Sequence, residues 1–401
     1  MNQEQQLALE AVLKGENIFI TGGAGVGKSY LVNEIVKSVS TKKKIGVCAM
    51  TGCAALLING ATLHSYLAIG LAKDSAKVLA NKIRKFVTIV QRIQDLDILL
   101  IDEVSMLNDE LFEKVYEFLQ LVRRNMKPFG GIQMIFVGDP FQLAPVEGDY
   151  CFTSKLWTDI KIHTLTQNMR QAGDQEFKDL LDRVRWGNCS NDDYNRLKKL
   201  KTTTFPDGII PTKLYSKNIN VDLINNAELD KLSTESREYT TEYMSEPSKK
   251  WATSNRIPEK VILKVGAQVM CTRNIPVLGL VNGSRGVVES FESYSVRIRK
   301  IDGEIVLLPY ISVTPFDNPF LVVKFLPLKL AWAVTIHSSQ GMTIDALEVD
   351  LGKDIFAFGQ AYTGLSRAKS LSTVRVTSVL QSSFVTNPTI KQLFMIPSGN
   401  N

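Results

Sequence analysis

Eight consecutive residues, Gly22, Gly23, Ala24, Gly25, Val26, Gly27, Lys28 and Ser29, match the pattern GxxxxGK[ST] and point to phosphate chemistry. The glycines let successive backbone N–H groups curl around a triphosphate, and the helix that follows presents its positive end to it, so these residues and Tyr30 are the expected nucleotide-binding set. Lys28 is the residue to reach the outer phosphates, and the Ser29 hydroxyl is a ligand for Mg²⁺. Further along, DILLIDE ends in Asp102 and Glu103. Asp102 suits the magnesium shell, and Glu103 suits the general base that orients and deprotonates an attacking water. GDPFQLAPV then supplies Gln142, which can contact the γ-phosphate; taken alone it reads as a surface glutamine. Charge builds on the phosphoryl oxygens in the transition state, so a cationic donor is worth several kcal/mol there. Arg170 in TQNMRQ and Arg367 in LSRA are the candidates, and on spacing alone each fits a surface position equally well. ATP and Mg²⁺ are therefore the expected cofactors.

The elements around these residues agree with that chemistry. NIFIT, residues 17–21, is a short apolar strand running straight into the glycine loop, and Leu31, Val32, Ile35, Val36 and Val39 follow at helical spacing. IGVCAM (45–50), DILLID (97–102) and QMIFVGD (133–139) read as buried strands of parallel type. Leu111, Phe112, Val115, Phe118, Leu119 and Val122 form a helix face with Asn108 as its N-cap. Strand and helix alternating in this way predict a doubly wound α/β sheet, with the ligand at the carboxyl ends of the strands. Between Thr62 and Leu96 a small insertion carries Lys73, Lys77, Lys82, Arg84, Lys85 and Arg92 against Asp74 alone. That run reads either as a solvated face or as a contact to a phosphate backbone. Residues 233–256 read as a polar, exposed connection. Beyond Lys260 the pattern turns to short strands: RIRKIDGEIVLL predicts a type I′ hairpin at Asp302-Gly303, within a small β-barrel spanning about 277–325.

With 401 residues the chain is long for one core, and two major lobes are expected. A hydrophobic content of 44% describes an ordinary globular protein. The most apolar region, residues 320–336, is interrupted by Lys324, Pro327 and Lys329, so it reads as two buried strands or a strand and a helix and not as a membrane span. Five cysteines without a CxxC pair and only three histidines predict no structural zinc and no disulfide framework. The opening residues lack a secretory pattern, which predicts an intracellular protein: cytoplasmic in a prokaryote or virus, nuclear or mitochondrial in a eukaryote. Lys and Arg exceed Asp and Glu by 47 − 41 = 6, a mild excess that permits nucleic-acid binding. No dimer-forming heptad is visible, and a monomer is expected.

Read in order, these segments resemble the Pif-type (Pif/RecD-like) DNA helicases of superfamily 1B over almost the whole chain. NQEQ, ATLHS, DEVSML, KPFGGIQ, GDPFQLAPV, LVNGSRGVV, and the closing block LAWAVTIHSSQGMTIDALEV with GQAYTGLSRA carry the likeness. EFKDLLDRVRWGN resembles a segment specific to the Pif branch, while its Phe177, Leu180, Leu181 and Val184 are also a plain helix core face. The resemblance implies two RecA-like P-loop NTPase lobes, parallel sheets flanked by helices, divided at about 1–170 and 171–401. The first would carry a strand-separating wedge at about 66–96, and the second the inserted barrel. It further implies that Gln5 contacts the nucleotide base, that Arg170 and Arg367 are the two arginine fingers, and that Gln340 and Gly341 couple the γ-phosphate to DNA grip. Thr51, His64, Phe141 with its neighbour Pro140, and His337 would face single-stranded DNA. Where the Pif branch reads IHKSQG this chain has Ser338 in place of the lysine, which removes one positive charge from the groove.

The function this implies is an ATP-dependent DNA helicase that moves 5′→3′ on single-stranded DNA and opens tailed or forked duplexes in replication, repair or recombination. ATP binding and hydrolysis would close and reopen a cleft between the lobes. Two alternatives share the motor residues: an RNA helicase or ribonucleoprotein remodeller of the same superfamily, and a nucleotide-dependent DNA clamp that does not unwind.

Overall fold

A computed structural model of the chain describes residues 1–167, 174–216, 221–315, 318 and 320–395. The chain divides into two compact units: Met1–Arg170, joined by Pro315–Pro319 and Gln392–Asn401, and Gln171–Thr314 with Phe320–Lys391.

The first unit is built on six strands: β1 (Asn17–Gly22), β2 (Ile45–Ala49), β3 (Ala61–Thr62), β4 (Ile98–Asp102), β5 (Gln133–Gly138) and β6 (Ile160–Leu165). They pair in the order β3-β2-β4-β5-β1-β6, every neighbour parallel. β2, β4 and β5 are buried along their whole length, which is why their sequences are continuous apolar runs without alternation. The helix Lys28–Val39 covers one face with Leu31, Val32, Ile35, Val36 and Val39. The helix Asp109–Arg123 begins where the sequence places it: Asn108 Oδ1 accepts the Leu111 N–H at 2.8 Å. Its Phe112 packs among the rings of Phe129, Phe136 and Trp157. Each side chain so buried contributes about 1.5–3 kcal/mol.

The first-unit insertion contains two short helices, Ala76–Ile83 and Val87–Gln94. Its basic run is not uniformly solvated. Arg92 donates to the Tyr66 carbonyl and lies 4.3 Å over the Tyr66 ring, and Lys82 pairs with Asp74 at 2.7 Å. Lys73, Lys77, Arg84 and Lys85 stay exposed, as do Phe86 and Val87, the N-cap and first residue of the second helix.

The second unit holds a four-stranded parallel sheet in the order Ala333–Thr335, Thr212–Tyr215, Leu347–Leu351, Val374–Val379. The helix Gln175–Arg185 buries Phe177, Leu180, Leu181 and Val184, the core face expected of that segment. Between the first two of these strands in sequence lies a β-rich insertion that departs from expectation in three ways. The pairing among the described residues gives an open five-stranded antiparallel sheet, not a closed barrel, and it reaches from Gln268–Cys271 to Leu328–Leu330, beyond the expected limits of 277 and 325. Ile311–Val313 leaves this sheet after Pro309, pairs with Val323–Phe325, and that strand pairs with Glu242–Tyr243.

Second, residues 233–256 are not a bare connection. They form the strands Ser236–Thr240 and Glu242–Tyr243 and the helix Glu246–Ser254, capped by the Ser245 hydroxyl accepting the Ser248 N–H at 3.2 Å. Tyr239, Trp251 and Ala252 are buried there, too sparse an apolar set to show as a period. Third, the hairpin at Asp302-Gly303 has no type I′ turn. Only Gly303 has positive φ, +88°, and Lys300 N–H donates to Glu304 O at 2.8 Å, closing a three-residue loop with a glycine bulge.

The apolar stretch 320–336 becomes three strands in three different sheets, Val323–Phe325, Leu328–Leu330 and Ala333–Thr335. Among the described residues, no helix is long and apolar enough to cross a membrane.

Candidate active site

In the first unit β5 lies between β1 and β4, so the loops leaving three adjacent parallel strands open at one edge of the sheet. These are the glycine loop after β1, Asp102-Glu103 at the end of β4, and Asp139–Gln142 after β5. At Gly22 (φ +153°) an added Cβ would lie 2.3 Å from the Leu165 carbonyl oxygen, so the start of the loop admits no side chain. Gly27, at φ +84°, precedes the helix and offers no side chain to cap it. The first N–H groups of that helix are left for an anion. Lys28 Nζ donates to the carbonyls of Gly22 and Gly23 at 2.8 and 2.9 Å, which arches the loop.

The two acids differ in environment. Asp102 is buried; burial and the adjacent Glu103 carboxylate push its carboxyl up to about 7, against the opposing pull of the Glu103 N–H and of Lys28. The Glu103 N–H donates to Asp102 Oδ1 at 2.8 Å. Glu103 itself sits at φ +55°, ψ +42°, a left-handed conformation that costs a non-glycine residue roughly 1–2 kcal/mol. That turn takes the Glu103 side chain off the line of the strand immediately after Asp102. Magnesium takes hard oxygen donors, and a buried carboxyl crowded by a second carboxylate is a place where a divalent cation relieves repulsion. The Asp102 carboxylate and the Ser29 hydroxyl fit such an ion.

After β5, Asp139 Oδ1 accepts the Phe141 N–H at 3.2 Å and Asp139 O accepts the Gln142 N–H at 3.1 Å. Gln142 is buried, and its Oε1 has no partner among the described residues; the same holds for Thr21 Oγ1 and Ser105 Oγ. Orphaned acceptors beside a phosphate loop suit a hydrated, metal-bearing ligand. Asp139 is 1% exposed, and an acid directly after a buried strand is a signal readable in the sequence.

Gln5 is buried and reciprocally bonded to Asn2: Asn2 N–H donates to Gln5 Oε1 at 3.1 Å, and Gln5 N–H donates to Asn2 Oδ1 at 2.9 Å. The NQEQ motif is thus a capping box for the helix Gln3–Leu13, closed through the Gln5 amide oxygen. Tyr30 is half exposed. Arg170 lies outside the described residues.

In the second unit Gln340 is 2% exposed, and neither its Nε2 nor its Oε1 has a partner among the described residues. Arg367 is also 2% exposed and does not extend as a finger in this conformation. Its guanidinium donates to Thr363 O (3.0 Å), Ser339 O (3.3 Å), Met342 O (3.4 Å) and Ser366 Oγ (2.8 Å). Thus Arg367 and the Gln340–Gly341 segment, far apart in sequence, form one packed cluster.

Of the residues expected to face single-stranded DNA, Thr51, His64, His337 and Ser338 are half-buried. Thr51 Oγ1 accepts the Ala54 N–H at 3.2 Å. Burial pushes the pKa of both His64 and His337 down, so neither carries charge at neutral pH. Ser338 is tied to Thr335, donating its N–H at 3.1 Å and meeting its hydroxyl at 2.8 Å. Pro140 and Phe141 are buried, and Phe141 packs edge-on against Phe394 at 6.0 Å, so its face is not offered to a base in this conformation.

Comparison with known proteins agrees with this assembly of parts. The family described as "PIF1-like helicase" matches residues 1–195, and "DNA helicase Pif1, 2B domain" matches residues 253–291. The human ATP-dependent DNA helicase PIF1 is 40% identical over 397 residues, covering 94% of this chain and 60% of its own length. The chain therefore spans less than two thirds of that relative. The crystal structure of Pif1 helicase from Candida albicans is 34% identical, covers 98% of each chain and superposes with a TM-score of 0.76. That of Bacteroides sp Pif1 in complex with ADP-AlF4 is 25% identical with a TM-score of 0.83, covering 98% of this chain and 96% of that one.

Proposed function

This chain belongs to the PIF1-like helicase family, and on that premise we propose that it is an ATP-dependent DNA helicase that translocates 5′→3′ along single-stranded DNA. The observation that carries the reading is the ending of three neighbouring strands: β1 in a phosphate loop, β4 in an acid pair, and β5 in a buried glutamine lacking a partner for its Oε1 among the described residues. The compartment is the one that holds its DNA, and replication, repair and recombination are the processes that need the activity.

In this reading the glycine loop and Lys28 bind the phosphates and Gln5 the base. Ser29 and Asp102 would hold a magnesium ion, which would supply positive charge against the phosphates. Glu103, turned aside by its left-handed backbone, accepts a proton from the attacking water. Gln142 senses the outer phosphate. Arg367 and Arg170 donate to the charge that builds on the transferred group, and Gln340 with Gly341 couples the nucleotide state to DNA grip. Thr51, His64, Phe141 and His337 hold single-stranded DNA. Because burial keeps both histidines neutral, they act by stacking and neutral hydrogen bonds, and the exposed lysines and arginines of residues 73–85 provide phosphate attraction. Phe86 and Val87, exposed at the start of the second inserted helix, are the apolar tip that would meet a duplex junction.

Steady-state ATP turnover with and without single-stranded DNA tests the proposal. Turnover stimulated by DNA supports it. Turnover indifferent to DNA but stimulated by RNA moves the chain to the RNA-remodelling class, and turnover indifferent to both removes the motor reading.

A further inference from the structure

The segment from Ser339 to Asp345 carries Gln340, whose buried amide has no partner among the described residues, and this segment is clamped from two directions. One clamp is Arg367, described above, reinforced by Ile344 N–H donating to Arg367 O at 2.8 Å. The other comes from the turn that leads into the strand Arg285–Glu292 of the inserted antiparallel sheet. Thr343 N–H donates to Asn282 O at 3.0 Å, and Arg285 N–H donates to Asp345 Oδ2 at 3.3 Å. Gly283, at φ +99°, approaches so closely that an added Cβ would lie 2.1 Å from the Thr343 carbonyl oxygen.

Arg285 is 1% exposed. Its guanidinium joins one strand of the inserted sheet to the segment that leads into the parallel strand Thr212–Tyr215. It donates to the carbonyls of Val269 and, at 2.6 Å, Ile210, and to Gln268 Oε1 at 3.2 Å. Val269 and Gln268 belong to the inserted sheet, and Ile210 leads into the parallel strand Thr212–Tyr215. Burying a cation against neutral acceptors is a poor source of stability, because desolvation offsets most of the gain. Its physical effect is to fix register between the elements it bridges.

We propose that Arg285, with the turn Asn282–Ser284, is a positioning element that ties the inserted sheet to the Ser339–Asp345 segment and so holds Gln340 in the register that DNA-stimulated turnover needs. The inference rests on the motor reading above. Arg285 touches neither nucleotide nor DNA in this role; its guanidinium fixes the strand that follows the turn, while its backbone N–H meets Asp345 and the Asn282 carbonyl meets Thr343.

The test measures ATP turnover of the full chain with and without single-stranded oligothymidylate, together with affinity for that oligonucleotide. In Arg285→Gln, basal turnover stays within about twofold and oligonucleotide affinity within about threefold, while the ratio of stimulated to basal turnover falls about tenfold. A residue that merely supports the fold would lower basal and stimulated rates together and leave the ratio intact. Asp345→Ala removes the acceptor for the Arg285 N–H together with a carboxylate that faces Arg285 and Lys369, and lowers the ratio in the same direction. If Arg285→Gln does not fold, Asp345→Ala carries the test alone. A wild-type ratio in the folded variants overturns this inference and leaves the motor reading standing. Absence of stimulation in the wild-type chain removes both.

Discussion

Arg367 grips the chain on both sides of Gln340: one guanidinium nitrogen donates to the carbonyl of Ser339, just before it, and to that of Met342, just after Gly341. The residue assigned to the transition state is therefore also the residue that fixes the coupling segment. Lysine keeps the charge but not the planar fork, and leaves buried carbonyls without donors. Arg367→Lys should lower stability by about 1–3 kcal/mol as well as turnover. Thermal melting read beside ATP turnover checks this, and an unchanged melting temperature would show that Arg367 is not part of the packing.

Glu103 gives the opposite signature. Glu103→Gln should lower turnover by about 10²–10⁴-fold while ATP still binds, since only the proton acceptor is lost. Glu103→Gly should also be inactive yet at least as stable as wild type, because glycine relieves a left-handed conformation whose strain is roughly 1–2 kcal/mol. Normal turnover by the glutamine variant would remove Glu103 as the base. A clearly lower melting temperature for the glycine variant would show that its backbone is not strained.

Asp102 should make stability depend on pH. Its carboxyl is raised by burial and by Glu103 to about 7, so its contribution is fully present below the ordinary carboxylate range and is lost as pH rises through about 7. In chelator, without nucleotide, wild type should therefore lose more stability than Asp102→Asn between pH 4 and pH 8 (both about the limits of this window). Parallel melting curves for the two proteins across that range would mean that Asp102 is ionised without penalty in the folded state.

At Ser338 the structure shows what a lysine would displace. The Ser338 N–H bond to Thr335 survives the change and only the pairing of the two hydroxyls is lost, so Ser338→Lys should fold. It should tighten single-strand binding and steepen the dependence of log affinity on log salt by about 0.7, the value for one added phosphate contact on a single strand. An unchanged slope would place residue 338 away from the phosphates.

The parts of the fold carried by local pattern were legible in the sequence. β1, β2, β4 and β5 are continuous apolar runs, and Asn108 marks a helix start by its side-chain chemistry alone. The limits of the inserted sheet were not legible, because Gln268–Cys271 is buried along its length and shows no alternation. The strand Glu242–Tyr243 is held by a partner eighty residues away, which no short window can see. In the proposed site, Lys28, Asp102 and Glu103 were readable as candidates from type and spacing, and Gln142 only from the motif around it. Their environments could not: the left-handed backbone at Glu103, the buried carbonyl cage around Arg367 and the burial of Phe141 under Phe394 all depend on tertiary packing.

The most direct test of the central claim is ATP-driven strand separation of two duplexes that differ only in carrying a single-stranded 5′ tail or 3′ tail. The account predicts that wild type opens the 5′-tailed duplex and leaves the 3′-tailed duplex intact, and that Glu103→Gln opens neither. Opening of only the 3′-tailed duplex would contradict the assigned direction, and failure on both under conditions of DNA-stimulated turnover would contradict the helicase itself.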